Sequence, residues 1–338
     1  MIRAPFVATE TKSMKVLFAT YPMAFHTPGG GEVQLLAYHK HLPAHGIDAT
    51  LMNMWEPRFL EHDVVHFFSC ISGSYHFCHF VKRLGLPLVI SASLWITDAT
   101  RHLYPIDEIR AQLGLADVIV TNSAVESNTL AEVLDLPRER FAHVYNGIDD
   151  LFLRPVSPDV FRRHFRLEGK FVLNVGNIEP RKNQLALVRA MKALPDVKLV
   201  LVGAKRDTAY ADAVLEEGGT QVIYPGVMPH NDLLLSGYAG CDAFCLPSTL
   251  ETPGLAALEA SAQRAPLLIT SEGSCAEYFG ARADYVAPDA IDTMSAKLRA
   301  LVDAGRDAQL AVAPGFDPAA FTWGRTTAAL GDIYRQLI

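Results

Sequence analysis

The sequence predicts an α/β protein of two doubly wound domains, each a parallel sheet flanked by helices. Short apolar runs rich in Val, Ile and Phe alternate with longer segments of helical period, the pattern of successive βαβ units. That alternation breaks once, between Leu151 and Lys170, where Pro155 and Pro158 punctuate a charged stretch, and then restarts. A chain of 338 residues is long enough for two cores.

In the first half, Met14 opens the first strand, and the strand candidates are Lys15 to Thr20, Ala49 to Asn53, Val64 to Ser69, Leu88 to Ala92, Val118 to Thr121 and His143 to Tyr145. In the second half they are Phe171 to Val175, Lys198 to Val202, Gln221 to Tyr224, Ala243 to Leu246, Leu267 to Ile269 and Asp284 to Val286. Leu185, Val188, Met191 and Leu194 recur every three residues and present one apolar stripe to a sheet, with Asn183 placed to cap that helix. A last helix runs from about Thr322 to Ile338, after Pro314 and Pro318. The expected boundaries are therefore 14–150 for the first domain, 151–170 for a connection, and 171–321 for the second, followed by the closing helix 322–338. The two halves share a pattern and no sequence, so they are not an internal repeat.

Composition narrows the class. Half the residues are hydrophobic and a fifth are charged, as in ordinary globular proteins. A formal net charge of -7 argues against nucleic acid as a partner. The pairs Lys82–Arg83 and Arg162–Arg163 could touch an anionic surface, although paired charges of this kind read first as solvated faces. Five cysteines without a C-x-x-C pair argue against a disulfide framework or a standard zinc site and fit a reducing cytoplasm. His76, Cys78 and His79 have a metal-like spacing, but they sit in an apolar segment where core packing is the better reading. The opening MIRAPFVATETKS has no apolar centre and so no secretory signal, and no run reaches the eighteen apolar residues of a membrane span. Any membrane contact is expected to be peripheral.

In doubly wound sheets ligands bind beyond the carboxyl ends of the strands, so the loops there carry the candidate chemistry. After the first strand come Pro28, Gly29, Gly30, Gly31 and Glu32, followed by a helix expected from Val33 to Leu42 and stopped by Pro43. These glycines would let backbone N–H groups approach an anion at the positive end of a helix, although the spacing is not the G-x-G-x-x-G fingerprint. A second loop, Gly176 to Lys182, places Arg181 and Lys182 just before the Asn183 helix. Two cations there oppose the helix dipole unless a bound anion or a nearby carboxylate offsets them. The third loop runs from Ser248 to Leu255. Thr252 is a plausible N-cap with Pro253 at the first helical position, which would aim the N–H groups of Gly254 and Leu255 at a diphosphate. Glu259 lies five residues past Gly254, about 7.5 Å along the axis and comparable to the reach from a diphosphate to a ribose, while Glu251 precedes the helix. Flanked by Ala256, Ala257, Leu258 and Ala260, Glu259 points from an apolar surface and should have a partner.

The Gly29–Gly31 loop, ADVIVTNSAVES, VYNGID, VGNIEPRKN, LVLVGA, PSTLETPGLAALEA and FTWGRTTAAL follow one another in order. With these anchors nearly the whole chain resembles glycosyltransferase family 4, of bacterial type, a retaining family of GT-B fold. The resemblance implies two Rossmann-like domains facing across a cleft, with the closing helix packing back on the first. It implies a nucleotide-diphosphate sugar held mainly by the second domain and an acceptor entering from the first. By position Lys182 matches the lysine that contacts the diphosphate, Glu251 the glutamate near donor-sugar hydroxyls, and Glu259 the one near the ribose.

Catalysis would then rest on Lys182, Glu251 and Arg181, through front-face substitution in which stabilisation of the leaving diphosphate dominates. Donor binding would further use Gly30, Gly31, Gly176, Asn177, Thr252, Pro253, Gly254 and Leu255. His26, Ser93 and Trp95 fall on the acceptor side. No D-x-D occurs, so neither a metal nor any other cofactor is demanded. Ser93 stands where the family often has histidine, Asn177 where arginine is usual, and Arg264 where glycine is expected. The implied function is transfer to a glycan, lipid-linked or small-molecule acceptor in cell-surface polysaccharide or glycolipid synthesis, in the cytoplasm or at the inner face of the membrane. Other readings are an inactive member that binds a nucleotide sugar or a partner protein, and an epimerase or phosphorylase on the same plan.

Overall fold

A computed structural model describes residues 13–338 except 27 and 72. The reading of the opening residues as lacking a leader lies largely on 1–12, outside the described residues. The chain divides into two compact units. One contains the chain up to Thr121 together with Ala131–Ala142 and Thr327–Ile338, and the other contains Asn122–Leu130 and His143–Thr326.

The sheet of the first unit is built from β1 (Met14–Thr20), β2 (Ile47–Leu51), β3 (Val64–Phe68), β4 (Leu88–Ser91), β5 (Val118–Thr121) and β6 (Phe141–His143) in the order β2-β1-β3-β4-β5-β6. β1 pairs in parallel with both β2 and β3, which requires the crossovers that the intervening helices supply. Every residue of β3 and β4 is buried, as expected of central strands covered on both faces. His66 in β3 is therefore an interior residue. Its Nδ1 lies 2.5 Å from Tyr334 Oη and its Nε2 lies 2.9 Å from Ser91 Oγ, and burial lowers its pKa to about 3. Tyr334 belongs to the closing helix, Trp323–Arg335, whose Arg335 also donates to the carbonyl of His45.

The second sheet contains β7 (Phe171–Val175), β8 (Lys198–Val202), β9 (Val222–Gly226), β10 (Ala243–Leu246), β11 (Leu267–Thr270) and β12 (Asp284–Val286) in the order β12-β11-β10-β7-β8-β9. Its two faces carry separate cores, and the strands alternate between them with period two. Phe171, Leu173, Phe244, Leu246, Leu267 and Ile269 join one core, while Val172, Ala243, Cys245 and Leu268 join the other. Residues 151–170, read as a connection, are packed into this unit through buried Phe152, Phe161 and Leu167.

All twelve expected strands have a counterpart, with shifted ends in places, and the one expected at His143 to Tyr145 lies instead at Phe141–His143. β2 starts at Ile47 because the buried Ile47 and Ala49 alternate with exposed Asp48, and β6 starts at Phe141, whose ring is buried. Several local expectations are corrected. The helix after the glycines begins at Gly30 rather than Val33 and runs to His41, and Pro43 lies in the 3-10 turn Leu42–His45 that continues it. Asn183 sits at the N-cap position of helix Gln184–Met191 in a left-handed conformation, so its side chain turns away from the helix and donates to the carbonyls of Pro247 and Pro288. In helix Tyr75–Arg83 Cys78 alone of its trio is core, its thiol pushed up to about 12 by burial, while His76 and His79 are exposed. Arg162 is no solvated charge, since it bonds Asp242 at 2.9 Å and the carbonyls of Gly169 and Gly240. No helix among the described residues is long and apolar enough to cross a membrane.

Candidate active site

β7 ends at Val175, and the loop beyond it is pinned by Gly176 N–H to the Val202 carbonyl and Ile178 N–H to the Ala204 carbonyl. Gln184 also donates to the carbonyl of Asn177 at 2.9 Å, fixing the loop to the following helix. Lys182 closes the 3-10 turn Pro180–Lys182 and lies over Gly176, where an added Cβ would stand 3.5 Å from its Cε. From there Lys182 Nζ donates to Glu251 Oε1 at 2.5 Å. Ser248 donates to the same oxygen at 2.6 Å, and Arg181 Nη1 stands 3.8 Å away. Oε2 of Glu251 accepts no hydrogen bond among the described residues.

Glu251 is 5% exposed. Burial opposes its ionisation, but the charges of Lys182 and Arg181, together with the bonds from Lys182 and Ser248, outweigh that and hold its pKa below the usual carboxylate range. Two glycines permit the geometry. Gly273, at φ +97°, packs so closely that an added Cβ would lie 2.0 Å from the Glu251 carbonyl oxygen. Gly254, at φ +84°, would place a Cβ 2.7 Å from Leu246 and 3.3 Å from Glu251 Oε2.

The helix bearing Glu259 is Leu255–Ala262, with Gly254 as its N-cap. Thr252 and Pro253, expected as cap and first turn, instead form a turn joined by a cis peptide, because the left-handed backbone needed at the entry falls to Gly254. The N–H groups of Gly254, Leu255 and Ala256 find no acceptor among the described residues, which leaves the helix start open to an anion. Glu259 has the partner its surroundings demand, since Tyr238 Oη donates to its Oε2 at 2.6 Å and His230 Nε2 stands 3.6 Å from Oε1. Burial raises the Glu259 pKa, opposed by His230 and by the bond from Tyr238.

The two cations ahead of the Gln184 helix are offset by carboxylates of the protein itself. Lys182 is paired with Glu251, and Arg181 bonds Glu179 at 3.3 Å and the Leu250 carbonyl at 3.2 Å. The electrostatic mismatch at this helix start therefore does not by itself call for a bound anion. Ser248, Tyr238, His230 and Glu179 carry no spacing signal and were not anticipated.

In the first unit a cavity of about 190 Å³ opens at the carboxyl ends of β1, β3 and β4, with Gly31, Glu32, Ser91 and Ser93 in its wall. Gly30, exposed His26 and half-buried Trp95 are not part of that wall. The first-turn carboxylate of Glu32 accepts from Gly29 N–H at 2.6 Å, so one N–H expected to face a ligand is already used. Ser93, at φ +44°, donates to Gln34 Oε1 at 3.3 Å.

Comparison with known proteins places these sites in context. Residues 158–311 match the family described as glycosyl transferases group 1. D-inositol 3-phosphate glycosyltransferase of Thermobispora bispora is 26% identical over 316 residues, spanning 84% of this chain and 72% of that protein. Among solved structures, Anabaena HepE in complex with UDP superposes with a TM-score of 0.76 at 16% identity, over 96% of this chain and all of the other. Sucrose-phosphate synthase from Thermosynechococcus elongatus superposes with a TM-score of 0.74 at 18% identity, over 96% of this chain and 99% of the other. The solved structures share the GT-B fold, and the sequence likenesses support a glycosyltransferase.

Proposed function

We propose that this chain is a retaining glycosyltransferase that moves a sugar from a uridine-type nucleotide-diphosphate sugar to a hydroxyl of a glycan, lipid-linked or small-molecule acceptor, without a metal, in cell-surface polysaccharide or glycolipid synthesis. The carrying observation is the buried Lys182–Glu251 pair, in which one carboxylate oxygen accepts from Lys182 and Ser248 while Oε2, which accepts nothing among the described residues, is left for a sugar hydroxyl. Lys182 spends one of its three donors on Glu251, so the others are available to a diphosphate. As the sugar–phosphate bond breaks, negative charge grows on the departing diphosphate, and Lys182, Arg181 and the open N–H groups at Leu255 stabilise it without reorganising. Glu259, fixed by Tyr238, is placed by the same reading on the ribose hydroxyls.

Support for the uridine donor comes from the HepE complex with UDP, and support for transfer from the group 1 match. Incubation with a panel of nucleotide sugars, with the released diphosphate and the product's anomeric proton both followed by NMR, tests the reading. Release of UDP with retained configuration is expected, and an inverted product or no release with any donor would overturn it.

A further inference from the structure

The cavity of the first unit differs in chemistry from the donor side. At about 190 Å³ it is smaller than the roughly 300–1,000 Å³ of pockets for drug-sized ligands, a size that suits one ring. Its wall contains Glu32, Ser69, Ser91 and Ser93 beside the apolar Leu35 and Phe68, and none of its lining residues is lysine, arginine or histidine. Two of the polar groups are held in place from behind. Glu32 Oε2 is fixed by Gly29 N–H, and Glu32 Oε1 accepts nothing among the described residues. Ser91, 2% exposed, is bonded to His66 Nε2, and His66 is itself bonded to Tyr334. Burial keeps that ring neutral, so its Nε2 engages the Ser91 hydroxyl through a single hydrogen bond.

A phosphate placed here would meet no charged donor and would face the Glu32 carboxylate, which already complements the positive end of the Gly30–His41 helix. A neutral ring can donate its hydroxyls to Glu32 Oε1 and exchange hydrogen bonds with Ser91, while its C–H face lies against Leu35 and Phe68. We propose that this cavity binds a single uncharged polyhydroxyl ring and selects against its phosphorylated form, with Glu32 as the specificity-determining residue. The identity of that ring as the acceptor rests on the transferase reading above, whereas its binding does not.

Ligand-detected NMR titrations of the full chain with glucose against glucose 6-phosphate, and with myo-inositol against D-inositol 3-phosphate, test it without any donor. The neutral member of at least one pair is expected to bind at least tenfold more tightly. Glu32→Gln should bring that ratio below about threefold, and Ser91→Ala should weaken the neutral ligand threefold or more while leaving the ratio in place. Equal or tighter binding of the phosphorylated member, no binding of either neutral ligand, or a ratio untouched in a folded Glu32→Gln protein would overturn the proposal. Should Glu32→Gln fail to fold, the wild-type ratio and Ser91→Ala still decide. UDP release from the same preparation reports separately on the transferase reading.

Discussion

Replacing Lys182 by Met and Glu251 by Gln, singly and together, measures how strongly the two side chains are coupled. Lys182 is 14% and Glu251 6% exposed along the side chain, so the pair is largely desolvated. Removing one partner of a buried pair costs about 3–5 kcal/mol when nothing else compensates. In Lys182→Met the Ser248 hydroxyl at 2.6 Å and Arg181 at 3.8 Å still face Oε1, which reduces the expected loss to about 2–3 kcal/mol. Glu251→Gln should cost less, about 1–2 kcal/mol, because the lysine can turn its ammonium toward water. The double variant has no buried charge to strand, so its loss should fall short of the sum by about 2 kcal/mol.

Urea unfolding of the four proteins at pH 7 supplies the cycle. Because the pKa of Glu251 is depressed in the folded protein, its contribution is complete above the ordinary glutamate value near 4.3 and is lost as pH falls through the lower folded value. The coupling should therefore persist at pH 5 and fade in stronger acid. Additivity within about 0.3 kcal/mol at pH 7, or a Lys182→Met protein as stable as wild type, would refute the pairing.

Four further outcomes are expected. Burial raises the Glu259 pKa, so this group's contribution to stability falls as pH rises above the ordinary glutamate value, and Glu259→Gln should raise Tm at pH 7 relative to wild type, with the gap closing below about pH 4. The same variant should raise the donor KM about 10- to 150-fold, since a charge-assisted contact is worth about 1.5–3 kcal/mol; a lower Tm with unchanged KM would count against both roles of that carboxylate. Gly273→Ala should destabilise by about 2 kcal/mol or more through its φ of +97° and the clash with the Glu251 carbonyl, visible as a fall in Tm. Turnover should survive exhaustive chelation, and a loss restored by a divalent cation would show that a metal takes part.

The architecture was legible because sheet strands announce themselves locally. Phe171 to Val175 is a strand-length run, apolar but for Asn174, in which Phe171 and Leu173 enter one core and Val172 the other, and a pattern of that kind needs no distant information. The site was legible in part. Glu259 among alanines and a leucine signalled a buried carboxylate in need of a partner, but Tyr238 and His230 meet it only through the fold. Arg181 and Lys182 ahead of a helix signalled either an anion or a carboxylate, and only the folded chain shows Glu251, 69 residues away, against Lys182. The local misreadings at Thr252 and Asn183 concern capping side chains. Both residue types favour helix caps, but Gly254 takes the cap position after Thr252, and the Asn183 side chain is drawn to the Pro247 and Pro288 carbonyls.

The most direct test of the account compares steady-state release of UDP from UDP-sugars by the wild type and by Lys182→Ala, with correct folding of the variant verified by its unfolding transition. Sustained release by the wild type is expected, with kcat/KM lowered about 10- to 150-fold in the variant, the equivalent of a charge-assisted contact of about 1.5–3 kcal/mol to the leaving diphosphate. Equal kcat/KM for the two proteins would contradict the account.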